Sequence, residues 1–127
     1  MTKVSLLPLV GLTLLAGCSR PVQPAGDATA ELIAGRTAGP PQTCVSAYPQ
    51  QNIRALDSRT LAYGSGQTVY INRLGGECPG LAPLSTLTID ASGSQYCRGD
   101  RIRGLEPGSL IPGASCNLAD WVPYRRP

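Results

Sequence analysis

Four cysteines, Cys44, Cys78, Cys97 and Cys116, constrain this chain more than any other feature. They are separated by 34, 19 and 19 residues. None forms a C-x-x-C pair, which zinc ribbons, thioredoxin-type redox sites and c-type haem attachment all need. An even set of widely spaced cysteines in an exported chain reads as two structural disulfides. The core needs such staples. From Cys44 onward, nine Leu, five Ile and three Val make up about a fifth of 84 residues, and Phe is absent. A domain of that size with so few large apolar side chains is marginal on burial alone. Three connectivities are open. The favoured one is Cys44–Cys78 with Cys97–Cys116, because each pair brackets a predicted hairpin. On the chain-entropy model each closure would contribute roughly 3–4 kcal/mol.

The N-terminus explains why the chain should meet an oxidising compartment. Lys3 precedes an apolar run, Val4 to Leu15, broken only by Ser5, Pro8, Gly11 and Thr13. This run falls short of the roughly 20 residues of a bilayer-spanning helix. It suits the apolar region of an export signal. Leu15-Ala16-Gly17-Cys18 follows and resembles the lipobox of bacterial lipoproteins. That resemblance implies cleavage before Cys18, a diacylglycerol on its thiol and a further acyl chain, such as palmitate, on its amine. One myristoyl chain holds a protein at a membrane only marginally, at about 0.8 kcal/mol per buried CH₂; three chains would hold it permanently. Ser19, where some lipoproteins carry aspartate, implies the outer membrane, facing the periplasm.

Three segments are therefore expected: a signal peptide over 1–17, a lipidated Pro/Gly/Ala-rich tether over 18–43, and a small disulfide-stabilised β domain over 44–127. The tether could form one or two helical turns between Asp27, as N-cap, and Gly35, as the stop; otherwise it should have little fixed structure. In the domain, Arg59 to Tyr63 and Thr68 to Leu74 flank Gly64-Ser65-Gly66, a hairpin signal. Val69 and Ile71 should share one face of the second strand, and Tyr70 and Asn72 the other. Ser85 to Asp90 alternates as a half-buried strand, Gln95 to Cys97 and Arg101 to Leu105 follow, and Trp121 to Tyr124 reads as an edge strand because Pro123 cannot donate to a ladder. With 15% charged residues and no sustained 3.6-residue period, long solvated helices are excluded. The expected fold class is all-β: a small antiparallel sheet or partly open barrel of about six short strands, stapled by two disulfides.

The combination Asp57-x-x-Thr60, Tyr70-x-Asn72-x-Leu74, Cys78-Pro79-Gly80-Leu81, Cys97-x-x-Asp100-x-Ile102-x-x-Leu105, Gly113-Ala114-Ser115-Cys116-x-Leu118 and Trp121-x-Pro123 resembles a family of small exported proteobacterial domains of unknown function. The resemblance covers Cys44 to Tyr124. It implies one domain with four structural cysteines, and it transfers no catalytic residue.

The chemistry available is narrow. Histidine is absent, so Ser-His-Asp triads, Cys-His pairs and histidine-bound metals are excluded. Lys3 is the only lysine and would leave with the signal, which removes a Ser-Lys dyad. The carboxylates Asp57, Glu77, Asp90, Asp100, Glu106 and Asp120 lie mostly beside turn residues, where they cap or accept backbone N–H groups. Asp100, between Arg98 and Arg101, is expected in an internal ion pair or turn bond. Ten arginines against eight acids leave +2 on the processed chain. Arg98, Arg101 and Arg103 lie close in sequence, with Arg101 and Arg103 on one strand face, and Arg125-Arg126 add charge near the C-terminus. Arginine forks bind phosphates and carboxylates bidentately. Trp121 should plug the core near Cys116; a carbohydrate-stacking platform is the sharper alternative. Nucleic acid does not fit so small a net charge in this compartment. The expected function is a membrane-anchored periplasmic lipoprotein that is not an enzyme, uses no cofactor or metal, and has an interaction or structural role in the cell envelope, with membrane lipid at Cys18 and an envelope protein or anionic envelope polymer as partners. The alternative is a binding module for an anionic envelope ligand, lipopolysaccharide, peptidoglycan or a protein partner, through Arg101 and Arg103, with Arg98 as a further candidate. A carboxylate-dependent hydrolase is the third reading.

Overall fold

The β-branched and aromatic run Thr68–Arg73 (β5) folds back on Thr60–Tyr63 (β4) across Gly64 and Gly66, both at positive φ. The hairpin expected from sequence is therefore present, and it forms the centre of a computed structural model that describes residues 25–48 and 53–127. The expected signal peptide and Cys18 lie outside the described residues. Around the hairpin the chain adds helix α1 (Ala25–Ile33) and eight further strands: β1 (Thr37–Ala38), β2 (Cys44–Ser46), β3 (Arg54–Ala55), β6 (Thr86–Asp90), β7 (Gln95–Cys97), β8 (Arg101–Leu105), β9 (Cys116–Asn117) and β10 (Trp121–Arg125). All pairings are antiparallel. They give a five-stranded sheet β1-β10-β5-β4-β3, a pair β2-β7, and a three-stranded sheet β6-β8-β9. The fold is all-β as expected, with more strands, several only two residues long.

Backbone hydrogen bonds link the three sheets in a partial ring. Gln42 and Trp121 exchange bonds of 2.8 and 2.9 Å, which carries the chain from β10 into β2. Arg98 N–H donates to Thr43 O, Gly99 N–H to Leu118 O, and Leu118 N–H to Asp100 O, which joins β7 to the approach of β9. At the far side β3 lies beside β6 without a ladder. Inside the ring sits the main core: Leu61, Tyr63, Leu81, Ile102, Leu118 and Trp121, with Val45 and Cys78.

The other face of the five-stranded sheet presents Ala62, Val69 and Ile71, covered by Leu32 and Ile33 of α1 together with Leu56 and Tyr124. The alternation in β5 is thus as expected, with Val69 and Ile71 on one side and Tyr70 and Asn72 toward the main core. Both sides are buried because the N-terminal segment folds onto the sheet. The helix runs from Ala25, two residues ahead of the expected cap Asp27, and ends ahead of Gly35. The segment expected as a tether then contributes β1, paired with β10, and Gly39 N–H donates to Pro123 O at 2.8 Å. This corrects two expectations. Residues 25–43 belong to the fold, and Trp121–Arg125 is flanked on both sides. Pro123 has no N–H to give, and it sits just beyond the two-residue pairing of β1 with β10, where only its carbonyl is used, by Gly39 N–H.

The disulfides also correct the favoured pairing. Cys44 bonds Cys97, and Cys78 bonds Cys116, with Cα separations of 4.0 and 6.0 Å. Cys44–Cys78 and Cys97–Cys116 followed from local hairpins, but β2 is not a strand of the β4–β5 hairpin. Its partner is β7, and Cys44 faces Cys97 directly in that register. The sequence separations become 53 and 38, for which the chain-entropy model gives roughly 4 kcal/mol each.

Candidate functional surface

Strand β8 displays the expected arginines. Its pattern places Ile102 fully inside and Arg101 and Arg103 outside on one face. Arg101 Nε lies 3.7 Å from Asp90 Oδ2 across the β6–β8 pair. Arg98 turns away, its Nη1 donating to Asp120 Oδ2 at 3.3 Å. The structure therefore brings Arg101 and Arg103 together and leaves Arg98 out. Arg103 stands opposite Thr88. Two of the three guanidinium groups already have carboxylate partners, which lowers the positive potential available to a second anion. These are exposed pairs, the kind worth at most about 1 kcal/mol.

The carboxylates mostly do structural work. Asp57 Oδ1 accepts from Arg59 N–H at 2.7 Å in the turn before β4. Asp100 Oδ2 accepts from Cys97 N–H at 2.7 Å, the turn bond expected of it. Glu77 lies 3.9 Å from Arg59. Two clefts flank α1. One, of about 380 Å³, is lined by Ala28, Glu31, Leu32, Arg36, Leu56 and Arg126. The second, of about 280 Å³, is lined by Thr29, Ala30, Ile33, Asp57, Thr60 and Arg73. Each holds a single carboxylate, so neither provides the acid and base pair of a glycosidase. Among the described residues no group of three or more His, Cys, Asp or Glu side chains is placed to hold a metal.

Trp121 plugs the core as expected, so the alternative of a stacking platform on it is not realised. Trp121 is fully buried, 6.0 Å from Tyr63 between ring centroids, and its indole N–H donates to Tyr96 O at 3.1 Å. Tyr63 OH donates to Ser46 O at 2.6 Å. These rings tie the β2–β7 pair to the large sheet and are not offered to a sugar.

Two features were not read from the sequence. Asn72 is fully buried. Its Nδ2 donates to Ala119 O at 2.7 Å and its Oδ1 accepts from Ala119 N–H at 2.9 Å, so one side chain pairs both backbone groups of the turn before β10. The second feature is apolar exposure: Leu84 is 91% exposed, Leu110 95% and Ile111 80%. The dipeptides Pro83-Leu84 and Ile111-Pro112 within turn-rich sequence carried that signal. Among the described residues no helix is long and apolar enough to cross a membrane. No protein-family model, curated protein or solved structure matches the chain.

Proposed function

We propose that this chain is a lipid-anchored lipoprotein of the bacterial cell envelope, held in the outer membrane facing the periplasm, whose folded part has an interaction or structural role without catalysis. One observation carries this reading. Both disulfides are made among Cys44, Cys78, Cys97 and Cys116, which leaves Cys18 as the fifth cysteine, placed directly behind Val4–Leu15 and Leu15-Ala16-Gly17. Two disulfides that close long loops suit an oxidising compartment. A spare cysteine behind an export run suits acylation.

The test is the mass of the protein extracted from membranes. Acylation predicts a chain beginning at Cys18 with three acyl groups, and the change Cys18→Ala should abolish both the cleavage and the added acyl mass. An unmodified chain that still begins at Met1 would overturn the reading.

A further inference from the structure

The exposed leucines and isoleucine are placed by two turns that are rigidly joined. In the first, Ser85 N–H donates to Ala82 O at 3.1 Å, with Pro83 second and Leu84 third in the turn. Leu84 takes φ +71°, a conformation that normally selects Gly or Asn at this position of a type II turn. Ser85 Oγ also donates to Gly80 O at 3.1 Å. A side chain that fits the backbone poorly and touches almost nothing has no role inside the domain.

The second turn follows β8. Ser109 Oγ accepts from Ile111 N–H at 3.2 Å and holds Leu110 and Ile111 outward. The two turns meet through glycine. Gly113 N–H donates to Gly104 O at 2.8 Å, and a Cβ on Gly80 would lie 2.8 Å from Gly104 O and 3.0 Å from the Cα of Gly113. Because Thr86 pairs with Leu105, the start of β6 and the end of β8 lie at the same end of the sheet. Leu84, Leu110 and Ile111 therefore project from one end of the domain. Residues 78–89 carry no charged side chain, and residues 104–119 only Glu106.

Helix α1, the first described element after the N-terminal chain, lies beside the turn that adjoins this end. Thr29, Ala30 and Ile33 of α1 share a cleft with Asp57, Thr60 and Arg73, and Cys78 N–H donates to Ser58 O at 2.8 Å, which sets the Cys78–Gly80 turn against the same turn. Twenty-four residues precede Ala25, among them the apolar run Val4–Leu15. From Cys18 to Ala25 the chain can span at most about 25 Å. An apolar tip whose one charged side chain is Glu106, on that short leash, lies within reach of a bilayer surface. Glu106 disfavours an anionic polymer at this end.

We infer that Leu84, Leu110 and Ile111 form a second membrane contact, inserting into the boundary between headgroups and acyl chains of a neutral bilayer and fixing the orientation of the domain on it. Insertion of apolar side chains on this scale reaches about 5–10 Å into that boundary. This goes beyond the lipid-anchor reading and rests on it only for the leash.

The test uses the full chain in phosphatidylcholine vesicles whose acyl chains are brominated. Wild type reports only the buried Trp121 and should keep its emission. The Leu110→Trp variant should lose emission to the bromine atoms, and adding Leu84→Ser and Ile111→Ser should abolish that loss without changing how much protein sediments with the vesicles. If Leu110→Trp is not quenched by bromine, the proposal is overturned. Shielding from aqueous iodide in that case would mean that a protein, such as a second copy, covers the tip; iodide access would mean that nothing does. The mass of the extracted chain decides acylation by itself; bromine quenching that survives Cys18→Ala would show that the tip contact stands without the acyl anchor, so the two can fail separately.

Discussion

The two faces of the five-stranded sheet are buried in different ways. One faces the ring interior, where Leu61, Tyr63 and Trp121 pack against elements fastened by two disulfides. The other carries only Ala62, Val69 and Ile71 and is covered by a nine-residue helix through the half-buried Leu32 and Ile33. A helix that short is marginal alone, so its stability comes from that contact and from the two-residue pairing of β1 with β10. The comparison separates a covalently fastened half from a half without a cross-link, which should open locally before the rest unfolds.

The largest effect should come from cutting the fastened face. Replacing Cys78 and Cys116 by Ala removes a 38-residue cross-link and should cost roughly 4 kcal/mol in denaturant unfolding. A loss below about 1 kcal/mol would show that the ring holds without this disulfide and that the two faces are not so different. Next is Asn72→Ala, which removes both hydrogen bonds from buried Asn72 to the backbone of the half-buried Ala119 and should cost about 2–3 kcal/mol. Gly104→Ala acts on β8, one of the elements packed around the main core on the fastened side. A Cβ there would collide with the Gly80 carbonyl, and no side chain can give way, so about 1–3 kcal/mol is expected.

The helix face should respond more weakly and only locally. Ile33→Ala should cost about 1–2 kcal/mol, less than a fully buried deletion. Hydrogen exchange should then speed up in α1 and β1 and stay unchanged in β2 and β7. A uniform increase across all strands would show that both faces unfold as one unit, which would remove the distinction.

The sequence was most informative where partners are neighbours in the chain. The β4–β5 hairpin, the alternation of Thr86 to Asp90 and the extent of β8 all come from local patterning, and each is found where expected. The disulfide pairing was not legible, because β2 finds β7 across 53 residues and neither strand is long enough to show a period. The same holds for β1, two residues lost among Pro40, Pro41 and Gly39, whose partner lies at the far end of the chain. Prolines there looked like a linker. In the structure Pro40 and Pro41 lie between β1 and the Gln42–Trp121 bridge, outside any ladder. At the candidate surface, the side that Arg101 and Arg103 share could be read from alternation, but their partners could not. Asp90 reaches Arg101 only through the β6–β8 register.

That ion pair gives the smallest expected effect and a sharp control on the comparison. Arg101 and Asp90 are 62% and 50% exposed, so solvent screens their attraction. A double-mutant cycle with Arg101→Ala and Asp90→Ala should give a coupling of about 0.2–0.5 kcal/mol, falling further as salt is raised. The single variants should leave the fastened face and the helix face equally intact, because neither side chain enters either core. If the coupling instead exceeded about 1 kcal/mol and resisted salt, the β6–β8 sheet would be held partly by charge. The contrast would then lie between three kinds of fastening, covalent, ionic and apolar, with the helix still the weakest.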